Sequence, residues 1–320
     1  MICSRKVVCL KEAYTMSTRI VNKILEFTTD PASRFASLAS RGFYNSLSDE
    51  EFIRRKFKYL LGYSPDLKKP NTFNEKMQWL KLNDRKPIYT TIADKDKVKG
   101  YVSSIIGKEH IIPTLGVWDH FDDIDFHRLP DKFVLKCTHN SGSNVIVKDK
   151  KALDKSYAKK ILDNALKINY YYLGREWPYK NINPKIIAES YIDDGSGQVK
   201  DYKFFCFNGK VRCFKIDFNR ENGHQANYYT PSGRLMKMGE VVCPPDYSKQ
   251  LAIPSELNNM IEISEQLAQD SFFRRIDLYE IKGNILFGEV TFYPNSGFGK
   301  FTDIKWDYKL GEWLHLDNIF

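Results

Sequence analysis

The sequence predicts an α/β chain of the α+β kind, with helices gathered in its first part and strands in the rest. Three observations carry this. The stretch from Phe273 to Gly297 alternates polar and apolar residues on either side of a turn, as a half-buried hairpin does. Residues 131–195 read as strand, small-residue loop, strand, helix and strand. The chain from Asp201 to Thr230 holds three more strand-like runs, two of them joined by the hairpin dipeptide Asn208-Gly209. The expected organisation is a helical extension over 1–45, an N-terminal region over 46–130, a small central subdomain over 131–195 and a β-rich C-terminal subdomain over 196–320.

Taken in order, residues 1–45 are modestly basic and helix-permissive. They are read as docking on the protein body, with contact to a membrane surface as the alternative. Met16 offers an alternative start. Ser48 is an N-cap with Glu51 three residues on, and the helix it opens stops at Gly62 before Pro65. Thr72 or Asn74 caps a second helix through Met77, Trp79, Leu80 and Leu82, which Pro87 closes. A lysine-rich helix opens at 92–97, a short strand lies within 111–117, and 119–130 is an acidic loop. Strands at 133–137 and 145–147 flank the loop Asn140-Ser141-Gly142-Ser143-Asn144; a helix over 156–166 and a strand over 186–192 follow. A helix from Ser255 leads into the hairpin.

With 320 residues the chain can bury a substantial core in more than one domain. Its 42% apolar and 28% charged residues are those of an ordinary folded protein. A net charge of +9 favours anionic partners. The charge is not concentrated in one patch with interleaved aromatics, which argues against a nucleic-acid partner. The six cysteines are scattered and mostly sit in apolar runs, as buried thiols in a reducing cytoplasm would. No stretch has the length of a membrane span, and no signal peptide is read at the N-terminus. The expected location is the cytoplasm, including the inner face of its membrane.

If Lys282-Gly283-Asn284 forms the hairpin loop, Asp277 and Glu289 lie equidistant from Gly283 and face each other, roughly 5 Å apart. Carboxylates so placed repel, so something positive should sit between them. Arg275 and Thr291 follow on the same face, because strand periodicity is two. This set suits a hard divalent cation held against a phosphate; the alternative is an Arg–Asp–Glu ion-pair ladder on a solvated face. Lys136 ends an otherwise apolar strand, where it either snorkels out or contacts phosphate. The small residues Asn140, Ser141, Gly142, Ser143 and Asn144 can turn several N–H groups toward one anion. Glu189 interrupts another apolar strand. Beside it the backbone of Tyr191 and Ile192 could pair with an adenine edge, and Asp201 or Asp194 could accept from a ribose. His139 is near these in sequence, but a lone histidine is more often structural.

The order Lys95, Lys136 with its loop, Glu189, Arg275, Asp277 and Glu289 resembles the ATP-grasp fold. Thr72 to Met77, Phe133 to Lys136, Glu176-Trp177 with Tyr179-Lys180, Asp201 to Phe205 and Glu289 to Phe292 narrow the resemblance to the TupA-like ATP-grasp family, over about residues 50–305. The resemblance implies ATP and magnesium. It puts phosphates on Lys95 and Lys136 under the loop Asn140, Ser141, Gly142 and Ser143, with adenine and ribose beside Glu189, Tyr191, Ile192 and Asp201. Magnesium falls to Asp277, Glu289 and Thr291, and the substrate carboxylate to Asn295, Ser296 and Gly297. Arg275 and Lys136 are its catalytic cations. One departure stands: the fold's usual Asn two residues after the metal Glu is Thr291 here, which leaves either Asn295 as a substitute or a second ion held more by ATP and water. The implied activity is ATP-dependent carboxylate–amine ligation through an acyl phosphate. A sugar carboxylate and an amino-acid amine would be the partners, in teichuronopeptide, capsule or related surface-polysaccharide assembly. The rivals are a glycosyltransferase, for which Asp123-Ile124-Asp125 supplies the letters of a metal motif, and a non-catalytic nucleotide-binding protein.

Overall fold

A computed structural model describes residues 30–195, 199–220 and 223–316. The expectations for residues 1–29, including Met16, Cys3 and Cys9, lie outside the described residues. The chain divides into two units at Pro65/Asp66. In the first, helices α1 (Pro31–Ser40) and α2 (Asp49–Leu61) pack around Phe35, Ala39 and Phe52. Ser48 caps α2 on the Glu51 amide, and Gly62 ends it in the left-handed conformation at φ 88°.

The second unit carries two antiparallel sheets. The smaller has the order β1-β4-β2-β3, with β1 Thr114–Trp118, β2 Phe133–Cys137, β3 Val145–Val147 and β4 Ile186–Ser190. It takes β1 from before residue 131, paired against β4. Strand alternation sorts its residues. Phe133, Leu135, Cys137 and Ala188 join the core with Ala158 and Leu162 of a covering helix, Lys155–Leu166. Val134, Lys136 and Glu189 line a cleft on the other face.

The larger sheet has the order β10-β9-β5-β6-β7-β8. Its strands are β5 Asp201–Phe207, β6 Lys210–Phe218, β7 Gln225–Tyr229, β8 Leu235–Met236, β9 Phe273–Ile281 and β10 Asn284–Thr291. One face, with Phe204, Ile276 and Leu278, belongs to a core shared with Met260 and Leu267 of the helix Leu257–Ala268. The other changes character along the strands. At one end Phe207 and Phe273 pack on Phe73 of the helix Phe73–Asn83. At the other, Asp201, Lys203, Arg275 and Asp277 form a charged row.

The β9–β10 hairpin corrects the expected loop. The turn is two residues, Lys282 and Gly283, with φ 52° and 80°, and Asn284 already pairs with Ile281. That register alone would put Asp277 opposite Gly288. A bulge at Gly288 shifts it, so that Asp277 faces Glu289 and Arg275 faces Thr291. Glycine favours this close approach, because a Cβ would stand 3.0 Å from both the Asp277 carbonyl oxygen and Tyr279 Cε2 and push them apart.

Other expectations change in detail. The lysine-rich helix is two: Ile88–Ala93 and, after a break holding Lys95, Lys97–Ile106. Thr72 caps its helix in a capping box with Glu75. Asn74 does not cap; it bonds the Gly299 carbonyl and Asp307 at 2.8 and 2.9 Å. Cys137, Cys206, Cys213 and Cys243 are free and buried. Among the described residues no helix is long and apolar enough to cross a membrane.

Asp307 ties the helix Lys305–Trp313 to the start of Phe73–Asn83, accepting from the Asn74 amide at 2.9 Å. Burial pushes its carboxyl up to about 6, above the ordinary 3.8. Between those values the folded state holds a proton that the unfolded chain has lost, so stability falls as pH rises from about 4 to about 6. The fall attributable to this group is at most about 3 kcal/mol. In urea titrations, Asp307→Asn should remove that slope and leave a pH-independent offset; an unchanged slope would refute the assignment.

Candidate functional site

The cleft face of the small sheet is built on one carboxylate. Glu189 Oε2 accepts from Lys136 Nζ at 2.5 Å, and its Oε1 from Lys99 Nζ at 2.7 Å. Register explains the first contact, since Glu189 pairs with Val134 and Ile187 with Lys136. Burial would raise the Glu189 carboxyl, but Lys136 and Lys99 outweigh it and hold it below its usual range. Two ammonium groups on one carboxylate leave a net positive surface in the cleft. That is the requirement for holding a polyphosphate. Ile112, Ile146, Tyr191 and Ile192 add an apolar side, and Lys148, Arg220 and Tyr279 close the lining of a cavity of about 380 Å³. Its walls come from both sheets.

The charged row of the large sheet faces the same space through Arg220 and Tyr279. Arg275 donates to Asp277 Oδ1 and Oδ2 at 2.7 Å each, and to Glu289 Oε1 at 3.2 Å. A guanidinium thus separates the two facing carboxylates. Lys203, opposite Asp277 on β5, reaches Asp277 at 2.8 Å and Asp201 at 2.5 Å. Arg220 bridges Asp201 and Asp217 at 2.6 and 3.0 Å. Lys215 binds Glu240 at 2.8 Å, and Glu240 accepts from Asn295 Nδ2 at 2.8 Å. Asp277 and Asp217 side chains are 2% exposed, so the row is buried and is not a solvated ladder. Burial raises the Asp277 carboxyl against the pull of Arg275 and Lys203. Burial would also raise Asp201, but Lys203 and Arg220 take it down to about 2.

The donor set fits magnesium in a limited form. Among the described residues no three His, Cys, Asp or Glu side chains gather as a self-sufficient metal site. Magnesium is commonly bound by one or two carboxylates, with phosphate oxygens and water supplying the rest. Glu289 is the open carboxylate, 42% exposed, while both Asp277 oxygens already accept from cations. Burial would raise Glu289; Lys95 and then Arg275 outweigh it and keep it low. Thr291 lies two residues on, paired with Arg275.

The remaining expected residues divide. Lys95 donates from Nζ to the Asn140 carbonyl, and burial lowers its pKa. In the 140–144 loop, Asn140 and Ser143 are buried and bond each other at 2.7 Å, whereas Ser141, Gly142 and Asn144 are exposed. Asp201 stands in the charged row with Oδ2 committed to Lys203 and Arg220. Asn295 reaches that row, but the Ser296 hydroxyl and carbonyl are held by buried Lys81 at 3.1 and 2.6 Å, and buried Gly297 lies against Met77 and Gln78. His139 is buried with Nε2 on the Ala165 and Ile168 carbonyls, a structural role. Asp123 and Asp125 accept from backbone amides of their own turns.

Lys99, Lys203, Lys215, Asp217, Arg220 and Glu240 join the expected residues around the site. A signal for three of them is present. Asp201-Tyr202-Lys203 and Lys215-Ile216-Asp217 repeat the charge–apolar–charge pattern of Arg275-Ile276-Asp277.

The family model of the TupA-like ATP-grasp proteins matches residues 75–315. The chain belongs to that family and has its ATP-grasp fold. Among the similar solved structures, a D-alanine–D-alanine ligase is complexed with ATP and an ATP-grasp ligase with Mg and ADP. No curated protein matches. Among solved structures, D-alanine–D-alanine ligase from Bacillus anthracis is similar at 15% identity, over 62% of this chain and 56% of that one, with a TM-score of 0.36. The Helicobacter pylori D-alanine–D-alanine ligase shares 16% identity over 70% and 57% of the two chains, with a TM-score of 0.40. A D-cycloserine synthetase shares 14% over 72% of each, at 0.38. The chain spans little more than half the length of the two D-alanine–D-alanine ligases.

Proposed function

We propose that the chain is an ATP-dependent ligase that joins a uronic-acid carboxylate, on a glycan or nucleotide sugar, to an amino-acid amine in surface-polysaccharide assembly. The carrying observation is the cleft with Lys136 and Glu189 on one wall, Lys99 bonded to Glu189 beside them, and the buried Arg275–Asp277–Lys203 row behind the other wall. The sugar and the polysaccharide setting rest on family membership.

Carboxylate and amine do not condense unaided, because oxide is a poor leaving group. Transfer of the ATP γ-phosphoryl group to a carboxylate oxygen gives an acyl phosphate and ADP. The amine then attacks the acyl carbon, and phosphate leaves with the C–O bonding pair. In this reading Lys136, Lys99 and Lys95 hold phosphate oxygens, Tyr191 and Ile192 flank the base, and the 140–144 loop covers the phosphates and keeps water from the acyl phosphate. Magnesium, on Glu289 with Asp277 and Thr291 beside it, would neutralise phosphate charge. Arg275 stabilises charge on the transferred group and on the oxyanion of the second step. Asn295, beside Glu240, stands toward the acceptor.

The test is ADP release with ATP and magnesium across uronic acids, UDP-uronic acids and amino acids. ADP should appear only when a carboxylate and an amine are both present, and Lys136→Ala should lower the rate at least about 10²-fold. UDP or GDP released from a UDP- or GDP-sugar without any need for ATP would favour the transferase rival.

A further inference from the structure

We propose that His224 is the base that takes the proton from the amine donor, with Asp217 as its positioning residue; this rests on the ligase reading above. The chain has six histidines, and the geometry sets five aside. His139 is buried against the Ala165 and Ile168 carbonyls. His110 is bonded through Nδ1 to the Ile285 carbonyl, next to the hairpin turn. His120 and His127 belong to the turns before β2. His315 sits beside the Asn208 turn, past the aromatic end of the large sheet.

His224 borders the charged row. Its side chain is 39% exposed, with Nε2 at 3.6 Å from Asp217 Oδ1 and Nδ1 at 3.4 Å from Cys243 Sγ. Asp217 Oδ1 is buried and makes no hydrogen bond. The other oxygen of Asp217 takes Arg220 at 3.0 Å and lies 3.6 Å from Lys203, which in turn contacts Asp277. Three side-chain contacts therefore run from the imidazole to the carboxylate pair where phosphoryl transfer is placed. The charged and titratable groups around the imidazole are Asp217 from β6, Cys243 from the segment after β8, and Arg220, Lys215 and Glu240 around Asp217.

The chemistry asks for such a group. Near neutral pH an amino-acid amine arrives as ammonium and has no lone pair to attack with. With Nε2–H turned to Asp217, the lone pair of Nδ1 is on the ring edge where the Cys243 thiol is only a weak donor. The ammonium N–H bond breaks, the proton bonds to Nδ1, and the freed lone pair attacks the acyl carbon; the C–O bonding pair leaves with the phosphate, which also takes the second proton from the new amide nitrogen. The imidazolium so formed strengthens its interaction with Asp217, a carboxylate that burial would raise but that Lys215 and Lys203 keep ionised. A separation of 3.6 Å can close to a hydrogen bond when the charge appears.

The experiment compares two nucleophiles, hydroxylamine, which is largely neutral at pH 7, and alanine. Wild type, His224→Gln and Asp217→Asn are assayed with ATP, magnesium and UDP-glucuronate. Wild type should give hydroxamate and alanine amide. His224→Gln should keep hydroxamate formation within about threefold, and lose alanine amide about 10²-fold or more at pH 7. That loss should shrink as pH rises toward the titration of the amine itself, and imidazole in solution should restore part of it. Asp217→Asn should move in the same direction by about tenfold. Equal losses with both nucleophiles, or an unchanged alanine rate in His224→Gln, would overturn the assignment. No hydroxamate from wild type with any uronic acid, UDP-uronic acid or uronic-acid glycan would overturn the ligase reading, and this one with it.

Discussion

Lys203→Met is expected to destabilise the fold by about 3–5 kcal/mol. The ammonium of Lys203 is only 10% exposed and stands 2.5 Å from Asp201, 2.8 Å from Asp277 and 3.6 Å from Asp217. Without it three buried carboxylates share Arg275, Arg220 and, at 3.8 Å from Asp217, Lys215. Two like charges remain close in a medium that screens them poorly. Burial pulls the Lys203 pKa down, yet Asp201 and Asp277 carry it above its ordinary value. Adding Asp201→Asn to the variant should restore part of the loss, with a coupling of about 1–3 kcal/mol in a double-mutant cycle. Urea titration measures both. A loss below about 1 kcal/mol would mean that the row behaves as a solvated surface ladder.

Glu289→Gln separates chemistry from folding. Its side chain is 42% exposed and shares one oxygen with Arg275 at 3.2 Å, so stability should change by less than about 1 kcal/mol. ADP release should fall by about 10²-fold or more, because the amide removes the open carboxylate beside the transferred phosphate. Raising magnesium should recover part of the rate. An unaltered rate at low magnesium would take Glu289 out of the metal site.

How far the sequence could be read is clearest at the hairpin. The facing of Asp277 and Glu289 is legible from their spacing about Gly283, but for the wrong local reason. A three-residue loop and a two-residue loop with a bulge give the same pairing at that point. The bulge depends on Gly288 lying against the Asp277 carbonyl, a tertiary approach that no periodicity reports. Lys136 was legible as a lysine that needed a partner. That Glu189 and Lys99 supply it depends on β2 pairing with β4 and on contacts across many residues. The alternating charges of Asp201–Lys203 and Lys215–Asp217 were visible, but such strands are usually half solvated. Their burial follows from what covers the sheet. His139 was close to the site in sequence and His224 was not, while the fold reverses their relation to the charged row.

The most direct test of the central claim, a nucleotide cleft with its phosphates on Lys136 and Lys99, is calorimetric titration of the intact chain with ATP and magnesium. The structure predicts one saturable site, weakened at least about tenfold by Lys136→Ala. It also predicts that Asp122→Asn, whose side chain is 74% exposed and binds Lys159 away from the cleft, leaves binding unchanged. Absence of ATP binding, or equal affinity in wild type and Lys136→Ala, would contradict it.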